Sequence, residues 1–378
     1  MTTVGDFEMQ IARTDRRPVS DALRIAVYGV FGELGSLMSE FKKKAREGAS
    51  YTSLHQTLVE EGGDLLWYFG ALAKSLGRPY SELLTAALGI EIVADTRIQY
   101  IEEAVRSISF PVGGRDPWLH AGEFAGTLAA HASAETDVSE LFAIAAMGLK
   151  AALVAFVASG IGLEGAITAN ITKSLSRFPV SQVPLPLYDD RPLANGKTIP
   201  KDERIPRVLP FEFSETAVGS RTMVVQKVFT IKIGDPLTDN ITDADDYRFH
   251  DVFHLAYASV LGWSPVLRSL LKVKRKSFPE FDENQDGARA ILIEEGVSTF
   301  VFNQAKHHLF EHHTGVDYKL LAMIKEFVRG YEVEDQPFWA WEKAILRGFA
   351  AFRFLKRERK GLITMDLKNR DITFEDRA

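Results

Sequence analysis

Three carboxylates stand within five positions of the stretch LVEEGGDLLWYFGALAKSLG (58–77): Glu60, Glu61 and Asp64. At helical spacing they share a face, where like charges repel unless a cation sits among them. The bulky run Leu65, Leu66, Trp67, Tyr68, Phe69 follows at once, so this turn lies at the edge of a core. A fourth carboxylate, Glu33, precedes it across the basic loop KKKAREGASYTS. A helical hairpin with Glu33 on one arm and Glu61 and Asp64 on the other can converge on one Mg²⁺ or Mn²⁺. All-oxygen donors suit those ions better than zinc. Such an ion bridges phosphate oxygens and lowers the pKa of a water poised for in-line attack. Glu60 or Glu61 is then the candidate general base. The alternative is a solvated acidic face with no chemistry.

A second candidate lies far along the chain. RFHDVFH (248–254) sets His250 and His254 one turn apart on one helical face, with Asp251 adjacent, and Glu294 and Glu295 follow some forty residues later. Two histidines at i and i+4 with a distant carboxylate have legitimate spacing for a transition metal, so His250, Asp251, His254 and Glu295 form a candidate second metal site. The alternative is a satisfied pair of surface histidines. The basic stretch RSLLKVKRKS (268–277) would suit phosphate binding beside it, whereas KHHLFEHH (306–313) reads as a solvated loop.

These residues need elements to position them. Apolar residues at three-to-four spacing, broken by Gly, Asp or Ser, predict helices from 18 to 178. The most apolar run, Leu141–Leu163, contains Lys150 and glycines and reads as a core helix pair rather than a membrane span. Seven of the fifteen prolines then fall between Pro179 and Pro210, which forbids helix and favours extended chain. FEFSE and RTMVVQKVFTIKI predict a small hairpin. Helical texture returns from Asp243 to about Arg359, and the charged tail after it reads as solvated or as a partner arm.

Two segments echo each other. FGELGSLMSE (31–40) pairs with AGEFAGTLAA (121–130), and ALAKSLGRPYSELLTAAL (71–88) with FVASGIGLEGAITANI (156–171), with Gly77 set against Gly160. Ala143, Ile144 and Met147 stand in the second copy where Glu60, Glu61 and Asp64 stand in the first. This pattern points to a duplicated helical unit whose carboxylates survive in one copy. LIEEGVSTFVF (292–302) is a fainter third echo.

GELGSLMSEFKKK followed by EEGGDLLWYFGALAKSLG resembles the MazG-like, all-α nucleoside triphosphate pyrophosphohydrolases over roughly residues 18–178. That family's pattern is ExxE, a basic loop, then E(E)xxD running into an apolar segment. The resemblance implies a four-helix Mg²⁺ site that splits nucleoside triphosphates into monophosphate and pyrophosphate. Glu33 fills the first ExxE position, and Glu61 and Asp64 fill those of ExxD. Ser36 replaces the second Glu of ExxE, a weaker ligand that leaves Glu40 or Glu60 to substitute. Members end the unit with an Asn-x-x-Lys-x-x-x-Arg helix that reaches the phosphates, which NITKSLSRF (170–178) matches through Asn170, Lys173 and Arg177. The first copy has Ala87, Ile90 and Ala94 there, so one composite site in an intrachain pseudo-dimer would explain both losses. Lys43 in the basic loop is a further candidate phosphate donor. The histidine segment is weakly similar to HD-type phosphohydrolases, whose second histidine and last aspartate have no counterpart here.

The composition narrows the classes. The chain has 378 residues, 46% hydrophobic and 25% charged, and a net charge of −6 argues against broad nucleic-acid affinity. It contains no cysteine, which excludes disulfides and thiolate metal sites and fits a reducing cytoplasm. MTTVGDFEMQIARTDRR lacks the apolar segment of a secretion signal. No Walker loop, no GxGxxG following a strand and no GxSxG elbow occurs, and VGG at 112–114 carries nothing specific. The expected fold is mainly α: a tandem helical domain (1–178), a Pro-rich linker with short strands (179–240) and a C-terminal helical domain (241–378). The expected function is Mg²⁺-dependent nucleoside triphosphate pyrophosphohydrolysis, in nucleotide-pool sanitation or a phage-related role. Its partner is the nucleotide, with no membrane or nucleic acid, and a homodimer is the candidate assembly. The rivals are a non-catalytic nucleotide-binding regulator and a phosphohydrolase working through the C-terminal cluster.

Overall fold

Apolar residues recurring every three to four positions fold the N-terminal half into helices. A computed structural model describes residues 2–108, 116–132, 137–193, 196–219 and 221–376. The VGG tripeptide lies outside them. The chain divides into two compact units, Met1–Val180 and Ser181–Ala378.

Unit 1 comprises α1 (Val4–Thr14), α2 (Ala22–Glu47), α3 (Leu54–Ser75), α4 (Tyr80–Leu88), α5 (Ile98–Arg106), α6 (Pro117–Ala132), α7 (Val138–Ala158) and α8 (Leu163–Arg177). The long helices pair as α2 with α3 and α6 with α7. Between the pairs, α2 packs on α6, α8 on α3 and α4 on α7. Each third helix thus crosses to the second helix of the other segment. Gly77 and Gly160 hold the equivalent turns at φ +74° and +71°, a left-handed backbone that glycine adopts without Cβ strain. The apolar run expected as a helix pair is instead the single helix α7, which passes through Gly148 and Lys150 and stops only at the Gly160 turn. Gly148 lies against Phe124 and Phe69 and Lys150 is exposed, so neither interrupts it. By length and composition α7 could cross a membrane, but most of that apolar stretch is buried inside the unit.

Unit 2 carries a five-stranded antiparallel sheet in the order β3-β2-β1-β4-β5. The strands are β1 (Val208–Val218), β2 (Arg221–Val228), β3 (Ile231–Lys232), β4 (Lys360–Asp366) and β5 (Asp371–Glu375). Alternate residues of β1 (Leu209, Phe211, Phe213) and β4 (Ile363, Met365) are buried, the period-two signature of a sheet with one face on a core. The helices are α9 (Asp251–Leu261), α10 (Pro265–Leu271), α11 (Pro279–Asn284), α12 (Ala288–Ala305), α13 (Tyr318–Phe327) and α14 (Phe338–Glu358). Every residue of α9 is buried, between α14, α12 and the β4–β5 hairpin. The expected hairpin is β1–β2. The charged tail, expected as a solvated arm, forms β4 and β5 and buries Ile363, Met365, Leu367 and Ile372.

Residues of the Pro-rich stretch are bonded into unit 2. Tyr188 Oη donates to Asp335 (2.6 Å), and buried Asp189 accepts from Ile205 N (2.9 Å) and from Arg268. The basic stretch 268–277 is not a phosphate platform throughout, because Arg268 and Arg275 are buried. Arg275 grips Asp286 (2.7 Å) and Glu332 (2.7 Å). Arg275→Ala would leave the fully buried Asp286 without this partner, at a cost of about 3–5 kcal/mol. In a unit of this size that lowers the melting temperature by roughly 10 °C, readable by calorimetry. An unchanged melting point would show the network to be dispensable.

Candidate active site in unit 1 and a histidine cluster in unit 2

On α2, Glu33 sits among the inward positions Val30, Leu34 and Leu37, and on α3, Glu61 and Asp64 flank Gly62 and Gly63. The α2–α3 pairing brings one oxygen of each of Glu33, Glu61 and Asp64 within 4.8 Å of one another. All three are half-buried. Burial, a hydrogen bond with Glu61 and the nearby Asp64 charge push the Glu33 carboxyl up to about 8. Burial and the Asp64 charge also raise Glu61, although its bond from Glu33 opposes them. Glu33 and Glu61 thus share a proton beside the Asp64 carboxylate, and the three oxygens are a donor set fit for a hard divalent cation.

The third helix reaches them from the other segment. Asn170 Nδ2 donates to Asp64 Oδ1 (2.7 Å), Lys173 Nζ donates to Asp64 Oδ2, and the same ammonium lies 3.7 Å from Glu60. The approach depends on a feature that the sequence reading did not use. A Cβ on Gly63 would lie 2.3 Å from the Ala166 carbonyl oxygen and 2.9 Å from Asn170 Cβ, and one on Gly62 would meet the Phe156 ring at 2.8 Å. Gly63 therefore lets α8 lie against α3, and Gly62 makes room for Phe156 of α7. Two glycines inside a helix, each costing about 1 kcal/mol against alanine, were the available signal.

Arg177 follows on α8, with its guanidinium over the Phe178 ring (5.1 Å). Lys43 is placed elsewhere. It pairs with Glu40, which also accepts from Tyr51 Oη. Glu40 is thereby engaged two turns along α2 from Glu33, and Ser36 stands between them, half-buried. Tyr68, whose ring covers Gly29 of α2, has its phenol raised by burial and by the Glu33 and Asp64 charges. The equivalent positions of the second segment, Ala143, Ile144 and Met147, carry no ligand.

In unit 2, α9 and α12 bring His250, His254 and Glu295 together, with one donor atom of each within 4.8 Å of the others. Asp251 Oδ1 lies 3.2 Å from His250 Nε2, and its other oxygen accepts from Gln226 of β2. Glu294 is fully buried and binds His254 Nδ1 (2.8 Å), Ser264 Oγ (2.7 Å) and Val266 N (2.8 Å). Burial opposes charge on His254, but Glu294 and Glu295 hold its pKa well above the ordinary imidazole value. The histidines of 306–313 are exposed, as expected for a loop.

No curated protein and no solved structure matches the chain. Residues 191–378 match the family model described as the MazG C-terminal domain. The match lies wholly within unit 2 and spans just under half of the chain, so the likeness is of that unit to the MazG C-terminal domain.

Proposed function

We propose that unit 1 hydrolyses a nucleoside triphosphate to monophosphate and pyrophosphate with Mg²⁺ or Mn²⁺. A MazG-related C-terminal half points to the same nucleotide pyrophosphohydrolase-like class. The observation that carries the reading is the meeting of Glu33, Glu61 and Asp64 with Asn170 and Lys173 of α8. The three carboxylates would hold the ion, which when bound would activate a water for attack on the phosphoanhydride. Glu60, whose carboxylate lies 3.7 Å from the Lys173 ammonium, would serve as general base, with Glu61 as its alternate. Asn170, Lys173 and Arg177 recur along one face of α8, so they can address a polyphosphate from the side opposite α2. Both segments belong to one chain, so this site needs no second copy. The absence of cysteine suits action in a reducing cytoplasm.

Pyrophosphate release from a nucleotide panel, with Mg²⁺, Mn²⁺ or no metal, tests this on the full chain. Release should require the divalent ion. Lys173→Gln should weaken triphosphate use 10- to 100-fold, matching about 1.5–3 kcal/mol for a hydrogen bond to a charged group. Metal-independent release, or release that persists in Glu61→Gln, would sink the reading. Ser36 in the place of a family ligand favours one rival, nucleotide binding without turnover. Tight binding with no pyrophosphate formed would establish that rival instead.

A further inference from the structure

Five titratable side chains of unit 2 are arranged around a point where charge does not balance. Asp251, Glu294 and Glu295 face His250 and His254, and among the described residues no lysine or arginine forms an ion pair with these three carboxylates. The histidine tautomers follow from their partners. His250 Nδ1 lies 2.9 Å from the Tyr247 carbonyl, which can only accept, so the proton of a neutral ring is on Nδ1. His254 Nδ1 likewise donates to Glu294, whose oxygens also accept from Ser264 and Val266. With both rings neutral, the two Nε2 atoms present lone pairs toward carboxylate oxygens, and the carboxylates that raise the His254 pKa favour any cation there, a proton or a metal ion. These nitrogens lie 3.2 Å from Asp251 Oδ1, and 3.7 Å and 3.5 Å from the two oxygens of Glu295. His254 is 1% exposed and its Nε2 has no hydrogen-bond partner. Lone pairs facing carboxylates repel unless a cation stands between them.

The spacing suits one metal ion. Tetrahedral donors about 2.0–2.2 Å from a metal are about 3.3–3.6 Å from each other, close to the separations seen here. The outer partners also have the right form. A backbone carbonyl fixes one histidine and a buried carboxylate the other, as in carboxylate–histidine–metal arrangements. The Tyr247 ring stacks on His250 at 4.4 Å and bonds Thr299 (2.9 Å), while Gln226 holds the far oxygen of Asp251. Glu295 is the partly exposed member, with 37% of its side chain accessible, so the cluster opens to solvent on that side.

We propose that His250, His254 and Glu295, supported by Asp251, bind a divalent first-row transition ion of the zinc class, with a coordination position open toward solvent. Mixed imidazole and carboxylate donors select such ions over Mg²⁺, which the all-oxygen cluster of unit 1 suits. The proposal stands or falls independently of nucleotide hydrolysis by unit 1.

The test uses full-length protein stripped with chelator, then titrated with Zn²⁺ in the presence of millimolar Mg²⁺. The expected result is one tightly bound equivalent of zinc by elemental analysis and a raised melting temperature on loading. Glu294→Gln, at an outer partner, should weaken zinc 10- to 100-fold, and His254→Gln should remove it. Because His254 is deeply buried, Glu295→Gln at the open side provides the variant expected to stay folded, and it should lose at least as much affinity as Glu294→Gln. Glu61→Gln should leave the zinc unchanged. Wild-type protein that binds no stoichiometric zinc would overturn the proposal. So would folded Glu295→Gln binding zinc as the wild type does, or zinc that disappears only with His308→Ala and His313→Ala on the exposed loop.

Discussion

Glu33→Gln should melt higher than the parent protein in chelator at pH 8.5 while losing Mg²⁺ binding and activity. The Glu33 carboxyl is raised from 4.5 to about 8 in the folded protein, by burial first and then by Glu61 and Asp64. An acid raised on folding costs stability as it ionises. That cost is absent below about pH 4.5, where both states are protonated, grows between 4.5 and 8, and is complete above 8. At about 1.4 kcal/mol per unit, the cluster as a whole loses on the order of 5 kcal/mol when Glu33 is charged. Glutamine keeps the size and can still donate to Glu61, so the substitution should raise the melting temperature by several degrees at pH 8.5 and by nothing at pH 4. Activity should fall more than about 100-fold, beyond the loss expected for an outer-sphere partner. In the parent protein Mg²⁺ must displace the shared proton, so its affinity should weaken as pH drops below 8. A variant that loses stability at every pH would mark Glu33 as a structural acceptor. Asp64→Asn should give no comparable gain, because Asp64 is bound by Lys173 and Asn170.

Local spacing made this site readable. Glu61 and Asp64 are three apart on a helix that turns apolar at Leu65, and Glu33 is one hairpin away. Such patterns need only the period of the α-helix. Asn170 and Lys173 were expected in one site with Asp64 as phosphate donors, and α8 does pack on α3, but that both bond Asp64 itself was not readable from spacing. By contrast, Lys43 looked available as a cation in a basic loop, but it lies in the last turns of α2 and pairs with Glu40 three residues before it, while Tyr51 donates to Glu40 from beyond the helix.

Unit 2 was harder to read because its order is set by distant pairings. The tail strands β4 and β5 complete a sheet begun by β1, some 150 residues earlier, and the tail's charges hid the alternation Gly361, Ile363, Met365. Arg268 and Arg275 read as a surface patch because their partners come from Asp189, Asp286 and Glu332, which sequence cannot bring near. The histidine pair was visible through its i, i+4 spacing. The buried Glu294 behind it looked no different from its neighbour Glu295, since only burial distinguishes a positioning carboxylate from a ligand.

Gly63→Ala should cut activity sharply without touching any charged group. The added Cβ would sit 2.3 Å from the Ala166 carbonyl oxygen and 2.9 Å from Asn170 Cβ, and backbone on one side cannot move out of the way cheaply. The α3 and α8 helices must therefore separate, which lengthens the 2.7 Å bond from Asn170 to Asp64 and carries Lys173 away from the carboxylates. Overpacking of this kind costs about 1–3 kcal/mol, and the better helix propensity of alanine returns up to about 1 kcal/mol. Net stability should fall modestly while triphosphate turnover falls by one to two orders of magnitude, since a displacement of about 1 Å at a reacting centre is enough for such a loss. Gly165→Ala on α8 is the control, because its Cβ would meet nothing within 4 Å. It should keep activity and gain up to about 1 kcal/mol. Mg²⁺ affinity at Glu33, Glu61 and Asp64 should survive in Gly63→Ala, because the α2–α3 pairing that gathers those carboxylates is not what the new methyl group displaces. Retained turnover in Gly63→Ala would mean that α8 is not part of the catalytic arrangement, and loss of metal affinity would place the damage in α3 itself.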